Sequence, residues 1–153
     1  MKRFVLTHVL AVLALTACAL VGCGKESRCA ISGVVTSEGE PVPTGNINFI
    51  PENPDPTKGV VGAGAEIVDG QYSIPPGPNA LLPGKYRVVV IATVTRDKQG
   101  NIVSGDDLKE GKVDSLSCTY EDLVPPKFGS KSEQYVEVGN AKTMTYDIHM
   151  VKE

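Results

Sequence analysis

The chain has 153 residues, of which 41% are hydrophobic and 22% charged, and its formal net charge is −3. This length suits one domain, because domains cluster at about 100–150 residues. The acidic balance argues against a nucleic-acid-binding protein, which needs clustered Lys and Arg to displace counterions from phosphates. The 16 Gly and 11 Pro residues fall between short apolar runs, a pattern typical of short strands joined by turns.

The first 22 residues have the features of an export signal. Met1-Lys2-Arg3 is a short positive region, residues 4–22 are mostly apolar, and no acidic residue occurs before Glu26. A positive start, an apolar stretch and small residues before a cleavage site are typical of a secretory signal peptide. A permanent transmembrane helix is the alternative, since the apolar run is close to the roughly 20 residues that span a bilayer.

The end of this stretch decides between the two alternatives. Residues 20–23 (Leu-Val-Gly-Cys) resemble the bacterial lipobox, whose cysteine accepts a diacylglycerol through its thiol, so we expect Cys23 to be lipidated. A competing motif at residues 15–18 ends in Cys18. We favour Cys23, because the polar residues 24–28 form a well-solvated tether, whereas lipidation at Cys18 would leave an apolar segment exposed.

This resemblance implies a signal peptide at residues 1–22, a lipidated tether at residues 23–28 and a folded domain at residues 29–153. Two or three acyl chains on one cysteine hold a protein firmly at a membrane, whereas a single chain binds only marginally. The protein is therefore expected in the bacterial cell envelope, outside the cytoplasm. Gly24 is not the aspartate associated with inner-membrane retention, which favours the outer membrane.

The mature chain is more acidic than the precursor. Removal of Lys2 and Arg3 reduces the basic residues from 15 to 13 against 18 acidic ones, which gives a net charge of −5. Two cysteines, Cys29 and Cys118, remain besides the lipidated one. An exported compartment permits a disulfide between them, and two buried free thiols are the alternative.

Seven segments of the mature chain have the composition and alternation of strands, and no segment predicts a helix. Asp69-Gly70 predicts a two-residue hairpin turn, because both of its positions favour φ > 0. Tyr72 and Ile74 are expected on one face of the strand that follows. Residues 96–123 are polar and weakly periodic, and we interpret them as a long insertion or mobile loop. The predicted strands are residues 30–36, 46–50, 60–68, 71–74, 85–95, 132–138 and 143–151.

This pattern predicts an all-β fold, an Ig-like β-sandwich of about seven strands. Along residues 85–95 the even-numbered side chains from Tyr86 to Val94 share one face, as expected of a strand that packs against a core. Gly70 supplies the positive φ of the hairpin, and Pro83-Gly84 bends the chain into the long strand.

Four motifs, in order, resemble carboxypeptidase regulatory-like domains. They are Gly-x-Val at residues 33–35, Gly-x-Pro-Val at residues 39–42, Asp-Gly-x-Tyr at residues 69–72 and Pro-Gly-x-Tyr-x-Val at residues 83–88. The ending, residues 124–128 and 146–148, is similar to that of small bacterial lipoproteins with one such domain. The resemblance implies a transthyretin-like (prealbumin-like) sandwich, generally a non-enzymatic accessory module. Tyr86 is then either a tyrosine corner, hydrogen-bonded to backbone, or a packed core residue.

The mature chain offers little catalytic chemistry. His149 is its single histidine, and its alternation with Ile148 and Met150 places it on the surface. Hydroxyisourate hydrolases share the transthyretin-like fold but need several histidines and a C-terminal Tyr-Arg-Gly-Ser motif, which this chain lacks, so a hydrolase is the least favoured alternative. We predict no catalytic residue, no metal site and no cofactor.

The expected function is therefore that of a membrane-anchored binding or structural module of the cell envelope. Its partner, an envelope protein or polysaccharide, is not identified by the sequence. A small-ligand or calcium-binding module that uses residues 96–123 is the alternative. Asp106, Asp107 and Glu110 could supply oxygen ligands to Ca²⁺, but they lack EF-hand spacing, and a solvated acidic loop is the preferred interpretation.

Overall fold

The computed structural model describes residues 27–152, and the chain over this range is all-β. The predicted signal peptide, Cys18 and Cys23 lie outside the described residues. In chain order the strands are β1 (Ala30–Ser37), β2 (Glu40–Pro41), β3 (Thr44–Pro51), β4 (Ala63–Val68), β5 (Gln71–Ile74), β6 (Gly84–Ile91), β7 (Thr93–Arg96), β8 (Ile102–Val103), β9 (Thr119–Asp122), β10 (Tyr135–Val138), β11 (Thr143–Thr145) and β12 (Ile148–Met150). One short α-helix, α1 (Gly105–Lys109), follows β8.

Nine strands form one main sheet and three form a small one. The main sheet has the order β10-β6-β3-β4-β5-β1-β11, with β2 and β12 also paired to β1. The small sheet has the order β8-β7-β9. Strands β11 and β12 pair with β1 in parallel, and the other pairs are antiparallel. The first and last strands of the described chain are therefore neighbours.

The main sheet curls on itself at the hairpin between β4 and β5. These two strands share a single pair, Val68 with Gln71, so they diverge soon after the turn. The ring of Phe49 on β3 consequently packs against Tyr72 on β5, with 6.0 Å between the ring centroids. The two halves of the sheet face each other across one hydrophobic core.

The alternation predicted for the longest strand is confirmed. Tyr86, Val88 and Val90 of β6 are buried, and the same face continues through Ala92 and Val94. Side chains alternate between the two faces of a strand, so the odd-numbered residues of this stretch point outward. The strand is interrupted at Ala92, which divides the predicted single strand into β6 and β7.

The predicted hairpin is also confirmed. Asp69 has a φ of 48° and Gly70 a φ of 76°, the pair of positive values that a type I′ turn requires. Tyr72 and Ile74 are both buried on the following strand. The hydroxyl of Tyr72 donates a 2.6 Å hydrogen bond to the carbonyl of Tyr146, which joins β5 to the chain between β11 and β12.

Tyr86 is both a packed core residue and a tyrosine that is hydrogen-bonded to the backbone. Its ring is fully buried, and its hydroxyl donates a 2.9 Å hydrogen bond to the carbonyl of Leu82, four residues upstream. Gly84, the first residue of β6, lies between Leu82 and Tyr86 in the chain. The side chain therefore fills the core and at the same time fixes the chain that enters the strand.

The predicted strand count and the predicted loop are wrong. Residues 96–123 contain β8, α1 and β9 instead of an unstructured insertion. Helix α1 begins after Ser104, whose side chain accepts from the backbone N–H of Asp107 as a helix N-cap. The strands of the small sheet are short, and one face of the sheet is solvated. Their sequence therefore does not show an apolar alternation. The last predicted strand likewise divides into β11 and β12.

Candidate functional site

The chain enters the fold at one end of the main sheet, where the predicted tether meets β1. Arg28 Nη1 donates a 2.8 Å hydrogen bond to the carbonyl of Ala80. The backbone N–H groups of Cys29 and Leu81 each donate to the other residue's carbonyl, at 2.7 Å and 3.1 Å. We call this part of the domain, residues 28–30 and 75–83, the tether end. Its hydrogen bonds hold the chain directly after the predicted tether.

The small sheet lies at the opposite end. Strand β1 has eight residues and is therefore about 25 Å long at roughly 3.3 Å per residue. Because neighbouring strands alternate in direction from β1 to β6, the end of β6 lies beside the end of β1. Strand β7 continues from there into the small sheet. We call this region, residues 38–44, 69–70, 93–123 and 151–152, the distal end.

Charged side chains and one buried hydroxyl hold the small sheet on the distal end. Glu121 of β9 accepts from Arg96 Nε at 2.6 Å and from Lys152 Nζ at 3.1 Å. The buried hydroxyl of Ser37 donates to the carbonyl of Leu123 at 2.8 Å. Glu121 thus joins β7 to the C-terminal segment, while Ser37 joins the end of β1 to the residue after β9.

Attachment of the small sheet is expected to weaken in acid. Hydrogen bonds from Arg96 and then Lys152 hold the pKa of Glu121 below its ordinary value. A carboxyl with a lowered pKa contributes stability above its unfolded pKa of about 4.3 and loses that contribution as pH falls through the folded pKa. Protection factors from amide hydrogen exchange should therefore decrease in β9 before they decrease in β3 as the pH is lowered from neutral.

A Glu121→Gln variant is expected to show a smaller acid-induced change in β9, because the titrating group is gone. Glu137→Gln is the matched control, since Glu137 is an exposed residue on β10 of the main sheet. Equal acid sensitivity of β9 and β3 in the wild-type protein would contradict the prediction.

A cleft of about 480 Å³ opens where the two sheets meet. Pro43 and Thr44 line the side that belongs to the main sheet, and Thr93 and Thr95 of β7 line the small-sheet side. Residues 102–105 and 107 close it from the β8–α1 side. We call this space the distal cleft. Its volume falls within the roughly 300–1,000 Å³ of small-molecule sites, which often lie where two structural units meet.

Strand register places an exposed aromatic ring beside this cleft. Thr95 pairs with Val103 on β8 and with Tyr120 on β9. Directly opposite residues in an antiparallel sheet project from the same face, so Tyr120 stands on the face that carries Thr93 and Thr95. Its side chain is 72% exposed. Arg96 and Glu121 lie on the other face of the small sheet.

The carboxylates of residues 96–123 are occupied by neighbouring groups. Asp107 accepts from Ser104 Oγ at 2.7 Å and pairs with Lys112 at 3.2 Å. Asp106 pairs with Lys109, and Glu110 pairs with Lys112. The hydrogen bond from Ser104 and then that from Lys112 lower the pKa of Asp107. Within residues 27–152, no group of three or more His, Cys, Asp or Glu side chains is arranged to hold a metal ion.

The disulfide predicted between Cys29 and Cys118 is not formed. Cys29 is buried at the tether end and Cys118 is partly exposed next to β9 at the distal end, and both thiols are free. The two residues lie at opposite ends of the domain, which separates them beyond the reach of a disulfide. Burial raises the pKa of the Cys29 thiol.

His149 lies on the surface, as its alternation with two buried neighbours predicts. Its Nδ1 is 2.9 Å from the hydroxyl of Thr36 on β1. This contact links β12 to β1, alongside their parallel pairing. His149 therefore has a hydrogen-bond partner on the adjacent strand.

The distal cleft was not predicted from the sequence. The sequence predicts a strand at Thr93 and Thr95 and a loop at Tyr120. The signal that could have revealed the site is the alternation of threonine and valine at residues 93–95. The pairing of Thr95 with Tyr120, 25 positions apart in the chain, has no local signature.

Comparisons with known proteins identify no relative of this chain. No family model, curated protein or solved structure matches the chain. Over the described residues, no helix combines the length and apolar character that crossing a membrane requires.

Proposed function

We propose that this chain is a bacterial lipoprotein whose signal peptide, residues 1–22, is removed and whose Cys23 is lipidated. On this proposal residues 29–153 form a non-enzymatic, extracytoplasmic module in the cell envelope, with the outer membrane as the favoured location. The observation that carries it is the position of the two ends. The fold begins at Cys29, six residues after Cys23, and the small sheet with its cleft lies at the other end.

The dimensions suit a module that faces away from a membrane. Six residues extend over at most about 20 Å, so lipidation at Cys23 would keep the tether end close to the bilayer. The distal cleft would then lie roughly the length of β1, about 25 Å, farther from the membrane. A binding site at that end remains accessible to partners in the envelope.

We assign the domain to the transthyretin-like sandwiches that the four sequence motifs resemble. The curled main sheet, with two halves facing each other over one core, supports this assignment. The hydroxyl of Tyr86 bonds to Leu82 four residues upstream, in the manner of the tyrosine corner of related sandwiches. The contact of His149 with Thr36, between the paired strands β12 and β1, supports a structural role for the single histidine of the mature chain.

Metabolic labelling with palmitate tests the anchor. We expect label on the wild-type protein and none on Cys23→Ala, because the acceptor thiol is lost. Cys118→Ala is the matched control and should retain the label, since this partly exposed thiol belongs to the folded domain. Equal labelling of wild type and Cys23→Ala would refute lipidation at Cys23. Loss of label only in Cys18→Ala would transfer the anchor to Cys18.

The distal cleft favours a specific version of this function, in which the module binds a small ligand through residues 96–123. One wall of the cleft, residues 102–105 and 107, belongs to that segment, and the small sheet that the segment completes supplies another through β7. The calcium version lacks this support, because the candidate carboxylates of Asp106, Asp107 and Glu110 are each paired with a lysine.

A further inference from the structure

We propose that the distal cleft binds a neutral oligosaccharide, with Tyr120 as the surface on which a sugar ring stacks. This inference rests on the proposed envelope location and names the ligand class of the site at the junction of the two sheets. It follows from the hydroxyl groups in the cleft, from the lack of a cluster of like charges among its lining residues, and from the ring beside it.

The hydroxyls define the polar part of the ligand. Thr44, Thr93 and Thr95 line the cleft, and their hydroxyls make no side-chain hydrogen bond to another of the described residues. Each hydroxyl can donate one hydrogen bond and accept two. A purely apolar ligand would remove them from water without replacing those bonds, which is unfavourable. A ligand rich in hydroxyls replaces them directly.

The charges make a neutral ligand preferable to an ion. Asp107 is the carboxylate of the cleft, and it is already bonded to Ser104 and paired with Lys112. Lys112 also pairs with Glu110, so the carboxylate of the cleft has a cation beside it, and the lining residues present no cluster of like charges to an ion. Arg96 projects from the opposite face of the small sheet and bonds to Glu121.

The apolar groups suit the carbon face of a sugar. Tyr120 is opposite Thr95 on the same face and is 72% exposed. Ile102 of β8, which lines the cleft, is 50% exposed. A pyranose ring presents both hydroxyls and a C–H face. The threonines of the cleft can bond to the hydroxyls of the sugar, and the exposed apolar groups can contact its C–H face.

A larger open groove of about 810 Å³ runs over the outer face of β1 and β5. Glu66, Asp69 and Asp147 line it, and one of these carboxylates is used by the fold, because Asp147 accepts from the backbone N–H of Val34. Tyr72, the aromatic residue among its described lining residues, is buried. The distal cleft is therefore the better sugar site of the two.

Binding is tested on the full-length lipidated protein in a detergent without a sugar head group. Cellotetraose and chitotetraose are titrated by calorimetry, and saturation-transfer NMR identifies which sugar protons contact the protein. We expect at least one of them to bind wild type. Tyr120→Ala should weaken binding by about tenfold through loss of the stacking surface, whereas Tyr120→Phe should retain it. Thr95→Val should weaken binding by about fivefold.

Two control variants separate the cleft from the rest of the surface. Thr119→Val changes the opposite face of β9, since Thr119 pairs with Arg96. Tyr135→Ala removes an exposed tyrosine from β10 of the main sheet. Both should bind as wild type does. Failure of both tetrasaccharides to bind wild type, or an equal loss in Thr119→Val and Thr95→Val, would overturn the proposal.

The palmitate experiment is independent of this result. Sugar binding by a protein that is not labelled at Cys23 would leave the cleft proposal standing and refute the anchor. Labelling at Cys23 without sugar binding would refute the cleft proposal and leave the anchor standing.

Discussion

Phe49→Ala is expected to destabilise the domain by about 3–5 kcal/mol, the usual effect of truncating a buried phenylalanine. Phe49 is fully buried and packs on Tyr72 across the curl of the main sheet. The substitution leaves a cavity between the two halves of the sheet. Because folded domains are stable by only about 5–15 kcal/mol, this loss is a large part of the total.

The measurement is the urea midpoint at an unchanged denaturant slope. Ile50→Ala is the matched control, since Ile50 is the next residue on β3 and is 39% exposed on the outer face. We expect its effect to stay within about 1 kcal/mol. If Phe49→Ala proved no more destabilising than Ile50→Ala, the two halves of the sheet would not share the core described above.

Gly33→Ala is expected to destabilise the domain by about 3 kcal/mol, because an added methyl group has no space at this position. A Cβ on Gly33 would collide with the carbonyl of Tyr146 and lie 2.9 Å from Asp147 Oδ1. Around this point the backbone N–H of Tyr146 donates to the carbonyl of Ser32, and Asp147 accepts from the N–H of Val34. The substitution forces β1 away from the segment between β11 and β12.

Urea unfolding measures the loss of stability, and amide exchange at Val34 reports whether the strand contact opens. Gly139→Ala is the control, because a Cβ there meets no heavy atom within 4 Å. Its effect should stay within about 0.5 kcal/mol. A Gly33→Ala protein as stable as Gly139→Ala would mean that the last strands do not pack against β1 as described.

Local patterns predicted the parts of the fold that depend on neighbouring residues. The hairpin at Asp69-Gly70 has the expected positive φ values, since the turn chemistry is contained in two residues. The inward face of β6, with Tyr86, Val88 and Val90, follows from alternation along one strand. The buried Tyr72 and Ile74 follow from the same rule.

Strand pairing between distant residues was not predicted. The parallel pairing of Val35 with Ile148 joins residues that are far apart in the chain, and no local signal specifies it. The sequence of residues 96–123 predicts a loop because its strands are short and one face of them is solvated. The structure of this segment depends on contacts between residues far apart in the chain, among them the bonds of Glu121 to Arg96 and Lys152.

The candidate site also combines a part that the local sequence predicts with a part that depends on contacts between distant residues. Cys23 and the tether were assigned from a short contiguous motif and remain predictions. The distal cleft is lined by Thr44 and Thr95 from different sheets, and strand register places Tyr120 of a third strand beside Thr95. The absence of a bond between Cys29 and Cys118 was equally a matter of distance in the fold.

The sequence by itself therefore determined the all-β class, the hairpin at Asp69-Gly70 and the inward faces of the strands. These properties depend on turn chemistry and on the two-residue period of a strand. The tertiary structure alone decided that the first and last strands lie side by side, that the small sheet is placed opposite the tether end, and that a cleft forms between the sheets. Those features depend on packing between segments far apart in the chain, where the entropy of closing long loops is offset only by the completed core.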